Sequence, residues 1–156
     1  MAIKWILERE KELVIGIGSC QYSHSIKNPF TLGERMLMIW LTLKSENLCD
    51  RCILVPIPDT DSKHAFWVKV VQYCAPPFSR VYSNDPLTRL LFEEEGIPVH
   101  SIPFFDREKL QGTFIRRLIA EGNPLWESLV PDPVKNIIKE IGGEKRLRKI
   151  FEIQKQ

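Results

Sequence analysis

Short apolar runs that alternate with longer helical patterns constrain the fold of this 156-residue chain more than any other feature. Leu13–Gly18 is a continuous apolar run, and further strand patterns follow at Cys52–Ile57, Arg80–Ser83 and Val99–Phe104. Such runs are typical of strands buried on both faces of a parallel sheet, and helices of about ten residues supply the crossovers. The sequence therefore predicts an α/β fold with a Rossmann-like parallel sheet, helices on both faces and a helical C-terminus.

Length and charge narrow the functional class. The chain is predicted to form one domain spanning 1–156, and its net charge is +2. That charge is too small to indicate nucleic-acid binding through bulk electrostatics. No apolar run approaches the length of a membrane span, and Met1–Arg9 lacks the pattern of a signal peptide. We therefore expect a cytoplasmic protein that binds neither nucleic acids nor membranes.

Local signals place two helices between the predicted strands. Thr31 followed three residues later by Glu34 is a capping-box pattern, which predicts a helix start at Thr31. His64–Cys74 has helical spacing, with Phe66 on its inward face.

The cysteines give only a weak signal. Cys49 and Cys52 have the C-x-x-C spacing of a metal knuckle or a redox pair, but Cys20 and Cys74 do not supply a second pair. The plainer interpretation is four reduced, half-buried thiols, and no metal bound by the protein itself is expected.

The polar residues of interest fall in the loops that follow the predicted strands. In open parallel sheets, ligands bind beyond the carboxyl ends of the strands. A single site built from these loops is therefore predicted. The four loops are Ser19–Phe30, Pro58–Lys63, Ser83–Pro86 and Phe105–Gly112.

Two helix starts are basic. Lys27 and Arg35 flank the first, while Thr113 precedes the second, with Arg116 and Arg117 expected in its first turn. A helix N-terminus already favours an anion, and arginines there are unfavourable unless an anion or a carboxylate joins them. Two such helix starts suit a polyphosphate. The alternative is that these are ordinary surface charges with local partners.

Trp67 lies early in its helix, just after the Pro58–Lys63 loop. An aromatic ring in that place can stack on a flat ligand ring, more strongly if the ligand ring is positively charged. The alternative is a core tryptophan. His24 and His64 lie on loops or helix ends, where an imidazolium can donate to phosphate or simply be exposed.

With these residues in view, the chain resembles the archaeal-type nicotinamide mononucleotide adenylyltransferases over essentially its whole length. Order and spacing agree throughout, and the Ser23–Arg35 block is highly specific. The matching segments are Ile15–Ser19, Ser23–Thr31, Glu34–Met36, Pro58–Asp59, Ala65–Val68, Ser83, Pro86–Leu87, Gly112–Thr113, Ile115–Arg117, Pro131 and Val134.

The resemblance implies transfer of AMP from ATP to nicotinamide mononucleotide, forming NAD and pyrophosphate, with Mg²⁺ travelling with the triphosphate. Lys27 and Arg116 would be the catalytic residues that contact phosphates, and Trp67 would stack on the nicotinamide ring. This family works by positioning and charge stabilisation, and its members are often oligomers, so a homo-oligomer fits the resemblance. The other implied substrate-binding residues are Ser23, Arg35, Asp59, His64, Asn84, Thr113 and Arg117.

The chain departs from the family at its beginning. The superfamily starts with a strand and a His-x-Gly-His motif that stabilises the triphosphate, and residues 1–156 contain no such motif. The absent strand would be an interior one, so its neighbours are expected to lack ladder partners and the core to have a gap. His64 also stands where Asn is usual, and Asn84-Asp85 replaces Gly-Asn.

Three interpretations follow. The first is an adenylyltransferase of this family whose natural form is longer at the N-terminus, with Met1 an internal methionine. The second is a non-catalytic nucleotide-binding subunit that keeps Trp67 and Lys27 for binding. The third is a related adenylyltransferase with another acceptor, such as a flavin or pantetheine phosphate, against which Trp67 and the Ser23–Pro29 block argue.

Overall fold

The computed structural model describes residues 2–105 and 110–154 and has the predicted α/β character, with a helical C-terminus. Short 3₁₀ turns at Cys49–Arg51 and His64–Phe66 precede β2 and α3. The elements in chain order are α1 (Ala2–Leu7), β1 (Leu13–Ile17), α2 (Leu32–Ser45), β2 (Cys52–Pro56), α3 (Trp67–Cys74), β3 (Val81–Tyr82), α4 (Pro86–Glu94), β4 (Val99–His100), α5 (Gly112–Glu121), α6 (Trp126–Leu129), α7 (Asp132–Glu140) and α8 (Gly143–Ile153).

The chain divides into two compact units. The strand unit comprises Met1–Cys20 and Arg51–Phe105, and the helical unit comprises Gln21–Asp50 and Asp106–Gln156. The single domain over 1–156 stays a prediction. In the described residues, no helix is both long and apolar enough to cross a membrane.

Within residues 2–105 and 110–154, all strand pairing lies in the strand unit and is parallel, which confirms the predicted fold class. β1 pairs with β2 from Leu13 opposite Cys52 to Ile17 opposite Pro56. β3 pairs with β4 through Val81 opposite Val99 and Tyr82 opposite His100. The strands form two separate two-stranded sheets, β1-β2 and β3-β4, where the sequence alone predicts one sheet.

Some backbone N–H and C=O groups of β1 and β3 point away from the strand with which each is paired. Ile57 N–H donates to the Ile17 carbonyl at 2.9 Å, so Ile17 faces β2. Because successive backbone groups of a strand point to opposite edges, Val14 and Gly16 face away from β2. The Val81 N–H donates to the Pro98 carbonyl at 2.9 Å, so the backbone groups of Val81 face β4. Those of Tyr82, the next residue, therefore face away from β4.

A cavity of about 660 Å³ is lined by both β1 and β3, and we call it the slot. A five-residue strand occupies roughly 16 Å by 4.8 Å by 10 Å, or about 800 Å³, so the slot is of strand size. This agrees with the expected gap and open ladder edges left by an absent interior strand. Its lining includes Val14, Gly16, Val55, Trp67, Val81 and Tyr82.

The slot also corrects the expectation that β1 is buried on both faces. Only Ile17 of β1 is buried, and Gly16 is exposed. A strand reaches full burial only when neighbours cover both of its edges, and β1 has one neighbour in the described part of the chain.

The helical unit has a closed apolar core. Leu147 of α8, Ile119 of α5 and Trp126 of α6 are at most 1% exposed. Met38 of α2 and Ile138 of α7 belong to the same buried cluster, so five helices contribute side chains to this core. The helices satisfy their own backbone hydrogen bonds, so packing alone is needed to close this core.

Two helix predictions are wrong in detail. Phe66 was expected to face inward, but it is 64% exposed and Val68 is buried instead. His64–Phe66 forms a 3₁₀ turn with three residues per turn, which rotates Phe66 away from the face that α3 buries.

The second difference concerns α5. This helix begins at Gly112, so Arg116 and Arg117 lie in its second turn and not in its first.

Candidate functional site

The carboxyl ends of β1 and β2 are joined by Asp59. Its carboxylate accepts the Ser19 backbone N–H at 3.2 Å and the Ser19 hydroxyl at 2.6 Å. Ser19 adopts a positive φ of 52°, a conformation that L-residues with a side chain rarely adopt. Asp59 thus holds the strained first turn after β1, and its carboxylate is exposed at that edge.

Trp67 is half-buried at the first residue of α3. Its indole packs edge-on against Phe92, with ring centroids 5.7 Å apart, and it also lines the slot. This position fits both sequence interpretations, because one edge of the ring is packed while part of it stays accessible. His64 begins the preceding 3₁₀ turn and is exposed.

Asn84 joins the ends of β3 and β4. Its amide donates to the Ile102 carbonyl at 2.6 Å and accepts the Ile102 N–H at 2.9 Å. Both ends of the side-chain amide are therefore engaged by backbone, which mimics one further step of the parallel ladder. In this arrangement Asn84 shapes the loop after β3.

In the helical unit, the segment before α2 forms a compact turn that presents Lys27. Ser25 N–H donates to the Asn28 carbonyl at 3.1 Å, and Asn28 N–H donates to the Ser25 hydroxyl at 3.1 Å. Lys27 lies inside this turn and is exposed. Ser23 is also exposed, and its hydroxyl lies 3.0 Å from His24 Nδ1.

The start of α2 is a complete capping box, as predicted. Thr31 Oγ1 accepts the Glu34 N–H at 3.2 Å, and Glu34 Oε2 accepts the Thr31 N–H at 2.8 Å. Arg35 follows in the first turn and is half-buried. Its backbone N–H donates to the Thr31 carbonyl at 3.0 Å, so the helix is already regular at this point.

The start of α5 holds the Arg116 guanidinium folded back towards the helix N-terminus. Arg116 Nη2 lies 3.3 Å from Thr113 Oγ1, and a Cβ added to Gly112 would lie 2.8 Å from Nη1. Among the described residues, nothing accepts a hydrogen bond from the buried Nε. Burial lowers the pKa of Arg116 from its ordinary value. An anion at this helix start would satisfy both the guanidinium and the helix dipole.

Arg117 fits the surface-charge interpretation better. It is exposed, its Nε lies 4.0 Å from the Glu121 carboxylate, and its guanidinium lies over the Phe114 ring at 5.4 Å. The sequence places Arg116 and Arg117 side by side, but their helical spacing turns them to different environments.

In residues 2–105 and 110–154, no three or more His, Cys, Asp or Glu side chains cluster in a way that could hold a metal ion. The four cysteines are free and half-buried. Half of the predicted Phe105–Gly112 loop, residues 106–109, lies outside the described residues.

The structure places the predicted site residues in two sets. The strand unit carries Asp59, His64, Trp67 and Asn84, and the helical unit carries Ser23, Lys27, Arg35, Thr113, Arg116 and Arg117.

The sequence analysis assigned no role in the site to Ser19 or Arg146. Ser19 could have been found, because it directly follows Gly18 at the end of the first predicted strand. Arg146 could not, because it lies far in sequence from the other site residues and no local pattern connects it to them.

The chain is similar to several known proteins. The sequence pattern of the family described as Cytidylyltransferase-like matches residues 1–118. The nicotinamide-nucleotide adenylyltransferase of Ignicoccus hospitalis is 46% identical over 149 residues, which are 95% of this chain and 86% of that relative. The enzyme of the same name from Thermoplasma acidophilum is 45% identical over 148 residues, covering 95% and 81% of the two chains.

A solved structure has the same fold. The bifunctional NMN adenylyltransferase/ADP ribose pyrophosphatase from Francisella tularensis, crystallised with AMP and a manganese ion, superposes with a TM-score of 0.70 at 18% identity. The match covers 96% of this chain and 46% of that one, so this chain spans about half the length of that protein. The resemblance inferred from the motifs is confirmed by the closer relatives. This chain belongs to the Cytidylyltransferase-like family and, within it, to the group of archaeal nicotinamide-nucleotide adenylyltransferases.

Proposed function

We propose that this chain transfers AMP from ATP to nicotinamide mononucleotide, forming NAD and pyrophosphate. The observation that supports this most strongly is its 46% identity over 95% of its length to a protein of that name. The match covers 95% of this chain, which is nearly its whole length.

The reaction is a displacement at phosphorus. A phosphate oxygen of the mononucleotide forms a bond to the α-phosphorus of ATP as the bond from that phosphorus to pyrophosphate breaks. Such a step needs little covalent chemistry from the protein, so positioning and charge stabilisation carry the catalysis. Lys27 and Arg116 would supply the positive charge, and the exposed hydroxyls of Ser23 and Thr113 would donate hydrogen bonds to phosphate oxygens.

In the strand unit, Trp67 would stack on the positively charged nicotinamide ring, a contact that the indole face favours by about 1 kcal/mol. Asp59 follows β2, and His64 begins the 3₁₀ turn before α3. Both are exposed and would contact the mononucleotide. Asn84 would act through the shape of its loop. Arg35 and Arg117 would add to the positive field around the phosphates.

A divalent cation is typical of nucleotidyltransferases, and we propose Mg²⁺. This ion prefers oxygen ligands and is usually bound through substrate phosphates with few protein ligands. It would therefore enter with ATP as part of the substrate and neutralise charge on the departing pyrophosphate.

A second candidate is a protein that binds nucleotides without turnover. It is favoured by the slot between β1 and β3, along which one edge of β1 has no paired strand among the described residues.

The two candidates are separated by comparing this chain with one extended by the N-terminal strand and His-x-Gly-His segment of a relative. NAD formation is measured for both, ATP and mononucleotide binding is measured by calorimetry, and circular dichroism checks folding. Turnover by either chain supports the adenylyltransferase. Binding without turnover by both supports the second candidate, and absence of binding by both folded chains contradicts both. Flavin mononucleotide and pantetheine phosphate serve as competing acceptors.

A further inference from the structure

We propose that Arg146 on α8 is a positioning residue that holds the Lys27-bearing turn in the conformation that receives ATP phosphates. This inference rests on the proposed function. Arg146 Nη1 donates to Glu34 Oε2 at 2.6 Å, and Nη2 donates to Glu34 Oε1 at 2.8 Å. This is a bidentate pair, the arrangement that fixes an arginine and a carboxylate most specifically.

Glu34 passes this constraint to the backbone at the start of α2. The same Oε2 that accepts from Arg146 also accepts the Thr31 N–H at 2.8 Å. Arg146 Nη1 further lies 3.4 Å from the Pro29 carbonyl. The side chains of Glu34 and Arg146 are only 19% and 21% exposed, so water competes weakly for these bonds. One guanidinium thus fixes two backbone points, one on each side of Phe30.

Phe30 gives a second contact with the same helix. Its ring lies so close to Gly143 that a Cβ built there would be 3.0 Å from Phe30 Cε1. Gly143 is the first residue of α8 and is buried. α8 therefore contacts the end of the loop in two independent ways, by apolar packing on Phe30 and by the Arg146 guanidinium.

The fixed end of the loop lies one residue from the Ser25–Asn28 turn. Because that turn is closed by two hydrogen bonds, fixing Pro29 sets the direction of the whole turn and of Lys27 within it. Lys27 is exposed and long, so it gains most from a backbone that is already in place when a phosphate arrives. A displacement of the turn by about 1 Å is enough to lower catalysis by roughly a hundredfold.

The test compares Arg146→Met with Arg148→Met. Arg148 is exposed on the same helix, so the second variant makes the same change of charge without touching the loop. Arg146→Lys keeps the charge but cannot form the bidentate pair. Gly143→Ala leaves Arg146 in place and crowds Phe30, but it also crowds Ile138, whose carbonyl oxygen would lie 3.0 Å from the new Cβ. All variants are compared at a temperature where circular dichroism shows them folded.

Two readouts are used. Limited trypsin cleavage after Lys27 reports the order of the turn without reference to function, and calorimetry measures the binding of ATP and of nicotinamide mononucleotide separately. We expect Arg146→Met to speed cleavage after Lys27 and to weaken ATP binding about tenfold, with mononucleotide binding unchanged. Arg146→Lys and Gly143→Ala should show smaller changes of the same kind, and Arg148→Met should match the parent chain.

Unchanged cleavage and ATP binding in folded Arg146→Met would overturn the proposal. So would faster cleavage without weaker ATP binding, or equal weakening of both ligands, because each indicates a purely structural role. A parent chain that binds neither nucleotide contradicts the proposed function instead, while the cleavage assay still reports on the anchoring of the turn.

Discussion

The β1-β2 sheet of the strand unit and the core helices of the helical unit bury their apolar residues to different extents. In the helical unit, Leu147 and Trp126 are at most 1% exposed, whereas Ile53 on β2 of the strand unit is 50% exposed. A helix forms its backbone hydrogen bonds internally, so a helical core can close with any set of partners that fills it. A strand depends on both neighbours for its backbone groups, so the lack of one neighbour leaves a slot and an open edge.

The largest expected difference lies in core truncation. Leu147→Ala should lower the free energy of unfolding by about 3–5 kcal/mol, because it leaves a cavity in a closed core. Leu13→Ala should cost less than about 1 kcal/mol, because Leu13 is only half-buried and already lines the slot. Urea unfolding of both variants measures the two values, and similar losses would contradict the contrast between the units.

Amide exchange along β1 should show the open edge directly. The amide of Ile15 faces β2 and that of Val14 faces the slot, so exchange at Ile15 should be at least about a hundredfold slower, or roughly 2.7 kcal/mol. Hydrogen exchange followed by NMR measures both. Uniform protection along β1 would mean that the slot edge is covered. Adding the N-terminal strand of a relative should slow exchange at Val14 and Gly16.

The pair between Glu34 and Arg146 should make stability depend on pH. Hydrogen bonds from Arg146 are the main cause that holds the pKa of Glu34 below its ordinary value of 4.5, against the opposing effect of burial. The stabilisation is therefore complete above pH 4.5 and is lost as pH falls through the lowered pKa.

We expect Glu34→Gln to remove about 2 kcal/mol at neutral pH and to flatten the loss of stability below pH 4.5. Denaturant titrations between pH 3 and 7, roughly spanning the carboxyl range, test this. Glu94→Gln changes an exposed carboxylate on α4 and is the control. If the stability of Glu34→Gln still falls steeply at acid pH, the loss arises from other carboxylates.

Gly112→Ala should separate binding from stability. The new Cβ would lie 2.8 Å from Arg116 Nη1 and displace the guanidinium, which under the proposed function weakens ATP binding about tenfold, or about 1.4 kcal/mol. Stability should hold or rise, because alanine favours helix over glycine. Gly33→Ala is the matched control near the start of α2, where no atom lies within 4 Å of the added Cβ. Calorimetry with ATP compares the two, and equal affinities would show that Arg116 does not contact phosphate.

The smallest effect is expected at the ion pair between Lys69 and Glu95 in the strand unit. The Lys69 side chain is 62% exposed, so Lys69→Met should change stability by less than about 0.5 kcal/mol. Chemical denaturation measures it. A loss as large as that of Glu34→Gln would mean that exposure does not distinguish the two ion pairs.

Local sequence signals were enough to predict most of the elements. The Thr31–Glu34 capping box and the apolar runs of β1 and β2 depend on neighbours in sequence, and the structure confirms them. The division of the described strands into two small sheets depends on which strands pair. No pattern of periodicity indicated it, and only the family resemblance implied a gap in the sheet.

The candidate site was predictable as a set of residues and less so as an arrangement. Arg116 and Arg117 are equivalent in sequence, yet only helical geometry folds one over the start of α5 and turns the other to Glu121. Asn84 stays a predicted substrate-binding residue, and local patterns gave no indication of its two hydrogen bonds with Ile102, which the pairing of β3 and β4 sets. Such contacts arise from topology, which local patterns do not encode.

The pair between Glu34 and Arg146 also has a consequence for biosynthesis. The two residues are 112 positions apart, so the Lys27 turn acquires its anchor only after α8 has left the ribosome. A nascent chain that has made α2 through α7 therefore carries the turn without this support. Under the proposed function, the last part of the ATP affinity, about tenfold, is gained only when α8 packs against this turn.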